Sequence, residues 1–389
     1  MKQYQIVRIK DLMDAQGVSI KELAVKCGIS EMTIRRILSK GYNPTSGTLE
    51  KISEAFGITT SKLLDENTID EIGAGVNGFI EYNGEIQKIK SFLALQKLVE
   101  RIKYETKVLP KEVQTIIATN KANKSSIKKM NPNEQYQFNL EWDSIDCYDA
   151  TKYDCWGFKT AADEKDGIIL DLGNQCSGYP FEFHGHTFHT SESAYLCGQF
   201  SLNTPECRQI QNQLLYERNG YTAKKKVKNA NRGLIRNDWE EIMADWMLYV
   251  VWNKCKGNED FANKLRAIPR NAIIMENSTT IHEGTSIYWG SKNEELEDAR
   301  EKVVRFTEIE YQNKVRQGKI KRDKSELEAQ IQKAINSIHY IGKYSGGHNC
   351  MGKILKRCQI ALIDGTEPPI DYDLLRSKQI YLFGKKLVF

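Results

Sequence analysis

Apolar residues recur at spacings of three and four through residues 5–66, broken by short glycine turns, and the pattern predicts five helices. Ile9, Leu12 and Met13 mark the apolar face of a first helix over Val7–Ala15. Ser19 followed by Glu22 reads as an S-x-x-E capping box opening a second helix, and Gly28 permits the tight turn after it. Ser30 caps a third helix over Glu31–Leu38, with a fourth over Thr48–Phe56 and a fifth over Thr60–Leu64.

The period then changes. In GFIEYNGEIQKI, residues 78–89, two alternating runs flank Asn83-Gly84, the signal of a β-hairpin. Residues 91–104 read as an amphipathic helix, and the polar, basic stretch 121–135 as a linker. From Tyr136 onward short strands, aromatic turns and long helices alternate, giving an α+β region. Residues 293–340 are charged and helix-prone, in the manner of an inserted helical pair. The expected plan is multi-domain: an all-α unit over 1–66, a hairpin–helix connector over 67–135, and an α+β domain over 136–389.

Composition narrows the function classes only a little. The chain has 389 residues, 40% hydrophobic and 28% charged, enough for two or three ordinary globular domains. A net charge of +5, with Lys and Arg scattered along the sequence, is too mild to argue nucleic-acid binding without a local motif. Nine cysteines occur singly with no CxxC pair, as expected of free thiols in a reducing cytoplasm. No apolar run approaches the ~20 residues of a membrane span, and the first residues lack a signal-peptide core, so a cytoplasmic protein without membrane contact is expected.

The local motif is SIKELAVKCGISEMTIRRILSKGYNP. It resembles the lambda repressor/Cro family of helix-turn-helix domains over residues 5–66. Ala24 stands where the two helices cross, Gly28 takes the turn, and Leu23, Ile29, Ile34 and Ile37 face the core. The resemblance directs Glu31, Thr33 and Arg35 toward bases and Arg36, Lys40 and Asn43 toward the DNA backbone. It also implies a homodimer on a two-fold operator.

A second constellation lies in the α+β region. YPFEFHGHTFHTSESAYLCGQF (179–200) reads strand, turn, strand and a helix starting at Thr190 or Ser191, with Glu192 in its first turn. The positive helix end there favours an ionised Glu192 near neutral pH. Trp239 opens another helix, IIMEN precedes Tyr288-Trp289-Gly290, and GGHNCMGKILKR places Asn349 and Gly352 at a helix start. A carboxylate, tryptophan walls and a glycine-rich helix start would suit a ribosyl nucleotide. His184, His186 and His189 do not share one strand face and lack an acidic or cysteine partner, so no metal and no cofactor is expected.

In order, GHTFHTSESAY, R-x-x-W-x-x-x-M, MEN before YWG, and G-x-N-x-x-G-x-x-L resemble the NADAR (NAD and ADP-ribose) family over about 170–290 and 345–363, with 293–340 an insertion. That resemblance implies N-glycosidic hydrolysis. Its known forms are cleavage of riboflavin-pathway intermediates and removal of ADP-ribose from guanine in DNA. It places Glu192 as the catalytic carboxylate, Glu276 at a second acidic position, and Trp239, Trp289 and Gly290 in the pocket walls. Asn174, Asn349 and Gly352 then face the ligand. Where compact members carry an aspartate three residues before the tryptophan, this chain has Ser286, for which Glu283 or Glu276 could substitute. The combined expectation is an ADP-ribosyl-guanine hydrolase acting on modified DNA. It would be the antitoxin of an ADP-ribosyltransferase toxin, with the helix-turn-helix domain on its operator. The alternatives are a regulator that senses ADP-ribose or NAD without turnover, and a glycosidase of riboflavin-pathway intermediates.

Overall fold

Local capping determines where the first helices begin and end. The computed structural model describes residues 3–39, 44–60, 63, 78–82, 85–129, 139–145, 147–278 and 286–389. Two compact units divide the chain at Val108/Leu109. In the first, α1 spans Gln3–Gln16, α2 Ile20–Cys27, α3 Glu31–Ile37 and α4 Ser46–Ala55. Ser19 accepts the Glu22 amide while the Glu22 carboxylate takes the Ser19 amide, the reciprocal box anticipated at α2. Gly28 ends that helix at φ 60°, a conformation open to glycine, and Ile29 N–H closes the turn on Ala24 O at 3.1 Å. Ile9, Leu12, Leu23, Ala24, Ile34, Ile37, Ile52, Phe56 and Leu63 form the buried core, with Ile29 packed at its margin. Of the expected fifth helix, only Thr60 and Leu63 lie within the described residues as helix.

The two alternating runs pair as a hairpin. Strands β1 (Gly78–Tyr82) and β2 (Glu85–Ile89) pair antiparallel with Gly78 opposite Ile89, while the Asn83-Gly84 turn lies outside the described residues. Helix α5, Phe92–Lys103, follows.

The second unit opens with a difference from the sequence reading. Residues 121–129, expected in a linker, are the end of α6, Leu109–Lys129. Its inward side carries few apolar residues, and a buried amide takes the place of more. Asn120 donates to Ser337 O and accepts the amides of His339 and Tyr340, at 2.9–3.0 Å. Residues 130–135 of that linker lie outside the described residues.

At the centre of this unit β3 (Cys155–Phe158) pairs parallel with β6 (Ile273–Glu276), Phe158 opposite Glu276. Both faces of the pair are covered, as parallel strands require. Cys155, Ile273 and Met275 meet α6 and α11 (Glu294–Arg316), whereas Trp156, Phe158 and Ile274 join the main core. Helix α12, Lys324–Ile335, packs on α11. The helical pair of 293–340 is therefore present and supplies half of the covering layer, with Leu296 and Val303 buried against the strands.

On the other side lie the β4–β5 hairpin (Phe181–Phe183, His186–Phe188), α7 (Ser191–Gln199), α8 (Pro205–Tyr216), α9 (Trp239–Gly257), α10 (Glu259–Ala267) and α13 (Cys350–Asp364). All nine residues of α7 are buried. It crosses α9 so closely that a Cβ at Gly198 would lie 2.2 Å from the Trp246 indole nitrogen. This is a mixed helix and strand domain following a helical one, and no helix among the described residues is long and apolar enough to cross a membrane.

Candidate functional site

Helix α3 carries the expected reading face. Met32, Arg35 and Arg36 are exposed, and Met32 is 61% accessible. All three of the base-facing residues, Glu31, Thr33 and Arg35, are already engaged. Thr33 Oγ1 lies 2.8 Å from the Ser30 hydroxyl, and its amide is capped by the same oxygen. The Arg35 guanidinium sits 3.7 Å from Glu31 in an exposed pair. Such a pair contributes only ~0.3–0.5 kcal/mol, so Arg35 can leave it for a base edge at little cost. Lys40 and Asn43 lie outside the described residues.

The second constellation is brought together by α7 and the end of β6. Thr190 caps α7 by accepting the Ser193 amide at 3.2 Å, while the Glu192 amide donates to Asn174 O at 3.0 Å. Glu192 is buried. Glu276, the last residue of β6, is half-buried and close enough for the two carboxyls to repel. Burial, followed by the Glu192 charge, pushes Glu276 up to about 7. Burial also raises Glu192, against the pull of Lys224 and Lys228. The helix N-terminus is thus not the only influence on this carboxyl, and desolvation is the largest of those that act on it. Of the two, Glu276 is the carboxyl brought into the neutral range, which suits it to hold a proton there.

An aromatic row borders the carboxyls. Tyr195, one turn after Glu192, stands edge-on between Trp239 at 5.0 Å and Trp289 at 5.5 Å. The row continues from Trp289 to Tyr288 at 5.2 Å and to His348 at 5.7 Å. Trp239 and Trp289 thus belong to one wall, with Tyr195, a motif residue to which the sequence assigned no role, as the shared member. Asn174 Oδ1 and His348 Nδ1 are buried with no hydrogen-bond partner among the described residues, as groups awaiting a ligand would be.

Asn349 and Gly352 have other work. The Asn349 side chain accepts the Glu276 amide at 3.0 Å and donates to Ile274 O at 2.9 Å, clamping β6 to the start of α13. A Cβ at Gly352 would fall 2.2 Å from Ile274 O. Both residues therefore position Glu276 through the strand and do not face a ligand space. Gly290 has a similar part: a Cβ there would meet Glu276 O at 3.0 Å and Ser278 Cβ at 2.8 Å, so its smallness lets the Trp289 segment approach the strand end. Glu283 and the Ser286 side chain lie outside the described residues.

Lysines 224 and 228, on the π-helical turn Ala223–Lys228, are further members. Burial lowers Lys228, and the Glu192 charge opposes that effect. Gly220 fits them in place, because a Cβ there would lie 3.1 Å from Glu192 Cβ. The histidines of the HGHTFH run diverge: His184 meets the Tyr249 hydroxyl at 2.9 Å and His186 stacks on Phe383 at 4.0 Å. Among the described residues no three His, Cys, Asp or Glu side chains gather as a metal site.

Against known families, residues 9–63 match the one described as helix-turn-helix. The chain therefore carries a lambda repressor-like DNA-binding domain, the hallmark of a transcription regulator, at its N-terminus. No curated protein and no solved structure matches the chain.

Proposed function

We propose that the second unit hydrolyses an N-ribosyl bond, removing ADP-ribose from guanine in DNA. The observation that carries this reading is the carboxyl pair, buried Glu192 and half-buried Glu276, set beside the Trp239–Tyr195–Trp289 wall. Cleavage of the bond between ribose C1 and the base nitrogen builds positive charge on the sugar, which ionised Glu192 stabilises. Glu276 delivers its proton to the departing nitrogen. Water then bonds to C1 and returns a proton to Glu276, leaving unmodified guanine in the strand and free ADP-ribose. The aromatic wall stacks on the ligand and excludes water, and Asn174 Oδ1 offers it an acceptor.

A cytoplasmic antitoxin fits this pairing of parts. The helix-turn-helix domain would bind its operator as a homodimer, while the pocket erases the modification written by a cognate ADP-ribosyltransferase toxin. A ligand sensor and a glycosidase of riboflavin-pathway intermediates would use the same pocket with different outcomes. Incubation with an oligonucleotide bearing ADP-ribosyl-guanine, beside Glu192→Gln, tests the reading. Release of ADP-ribose by the parent and its loss in the variant is expected. Tight binding of ADP-ribose without release would replace the hydrolase by the sensor, and turnover confined to free nucleosides would move the substrate to small metabolites.

A further inference from the structure

Residues 216–234, between α8 and α9, hold Arg218, Lys224, Lys225, Lys226, Lys228 and Arg232 against the single acid Glu217. Six positive charges less one negative give +5, equal to the net charge of all 389 residues, so the rest of the chain is balanced. The charge is concentrated on one stretch of surface: Arg218, Lys224, Lys225, Lys226 and Arg232 are exposed. Among the described residues, no carboxylate lies within ion-pair distance of any of the six.

Aromatic rings are interleaved with these cations. Tyr216 is 81% exposed and Tyr221 56%, unusually open for side chains of this size. Lys225 Nζ lies 5.3 Å from the Tyr221 ring centroid and 3.1 Å from its hydroxyl, which steadies the ring at the surface. The stretch also adjoins the carboxyl pocket, since Gly220 abuts Glu192 and Gln175 and Lys224 acts on both glutamates.

We propose that this segment is a track for a single-stranded polynucleotide leading into the carboxyl pocket. Arg218, Lys225, Lys226 and Arg232 neutralise its phosphates, and Tyr221 stacks on the base beside the one that enters. Stacking platforms among cations are how single strands are held without regard to sequence. A paired, stacked base cannot reach the buried Glu192 carboxyl, which favours a single strand over a duplex. The chemistry in the pocket rests on the function proposed above, whereas the track stands on charge and exposed rings alone.

The test is fluorescence anisotropy with a labelled mixed-sequence 15-nucleotide DNA strand, using the full chain carrying Arg35→Ala and Arg36→Ala to silence α3. Four phosphate contacts give a slope of log affinity on log salt of about −3. Adding Lys225→Glu and Lys226→Glu is expected to weaken binding at least ~10-fold and to cut the slope by about half. Tyr221→Ala costs roughly 5- to 100-fold, and Tyr221→Phe restores binding. Unchanged affinity in the double glutamate variant, an equally tight duplex of the same sequence, or displacement by poly-glutamate at matched charge would each overturn the track. The last result would mark an acidic-protein surface instead. On ADP-ribosylated substrates, Lys225→Glu with Lys226→Glu lowers kcat/KM for the oligonucleotide and spares the mononucleotide. If neither substrate is cleaved, the hydrolase reading falls while anisotropy still decides the track.

Discussion

Replacing Glu276 by Gln gives the most direct reading of the carboxyl pair, because it needs no ligand. In the folded chain this carboxyl titrates at about 7, against 4.5 for an unburdened glutamate. Each pH unit between the two is worth ~1.4 kcal/mol, so the ionised side chain costs the fold up to about 3 kcal/mol once pH exceeds 7. The sign follows from proton counting. Between pH 4.5 and 7 the folded state holds a proton that the unfolded state has released, so stability falls as pH rises through that window. Glutamine, neutral and nearly isosteric, is exempt. The variant should match the parent near pH 4.5 and exceed it by about 3 kcal/mol at pH 8, or roughly 6–12 °C in melting temperature for a domain of this size. Thermal unfolding followed by circular dichroism across that pH range measures the difference. A difference that does not change with pH, or one favouring the parent at pH 8, would refute the placement of Glu276 beside Glu192.

Other substitutions probe the supports. Asn349→Ala leaves the Glu276 amide and Ile274 O without partners and should cost about 2–4 kcal/mol in urea unfolding, more than its lost packing alone. Lys254 is buried over the Phe261 ring with no hydrogen-bond partner among the described residues, and burial brings it down to about 8. Its charge penalises the fold at neutral pH and the penalty fades between pH 8 and 10.5, so Lys254→Met should stabilise by ~2 kcal/mol at pH 7 and by less at pH 10. Arg35→Ala should weaken binding to a selected operator duplex by about 1–3 kcal/mol and relax its sequence preference, as read by competition gel shift.

The first unit was legible because its signals are local. A capping box at Ser19 and Glu22 and a left-handed glycine at 28 act within a few residues, and the structure honours both. The centre of the second unit was not. Cys155 and Ile273 pair across more than a hundred intervening residues, and strands covered on both faces show no alternation from which to read a register. Helix α6 escaped for another reason: only Leu109, Val113 and Asn120 are buried along it, so no apolar stripe marks it. Glu192, Trp239 and Trp289 could be given roles from the sequence, whereas Tyr195, a member of the same motif, was given none, because an aromatic one turn beyond a helix start is ordinary core. Asn349 drew attention for its place before a helix, yet its amide serves the strand. The lysines at 224 and 228 were hidden in an overall charge that looked evenly spread.

Those lysines set the last expectation. Lys224 lowers Glu276 and both lysines lower Glu192, opposing the burial that raises the pair. An anionic substrate held by Lys224 and Lys228 would neutralise them and remove that opposition, so the bound complex keeps the Glu276 proton to higher pH than the free protein does. The pH dependence of kcat/KM reports the free protein and that of kcat the complex. The alkaline limb of kcat should therefore lie above that of kcat/KM, and Lys224→Met, which removes the larger influence, should draw the two limbs together. Coincident limbs in the parent would mean that the substrate's charge never meets these lysines, and that they serve the glutamates alone.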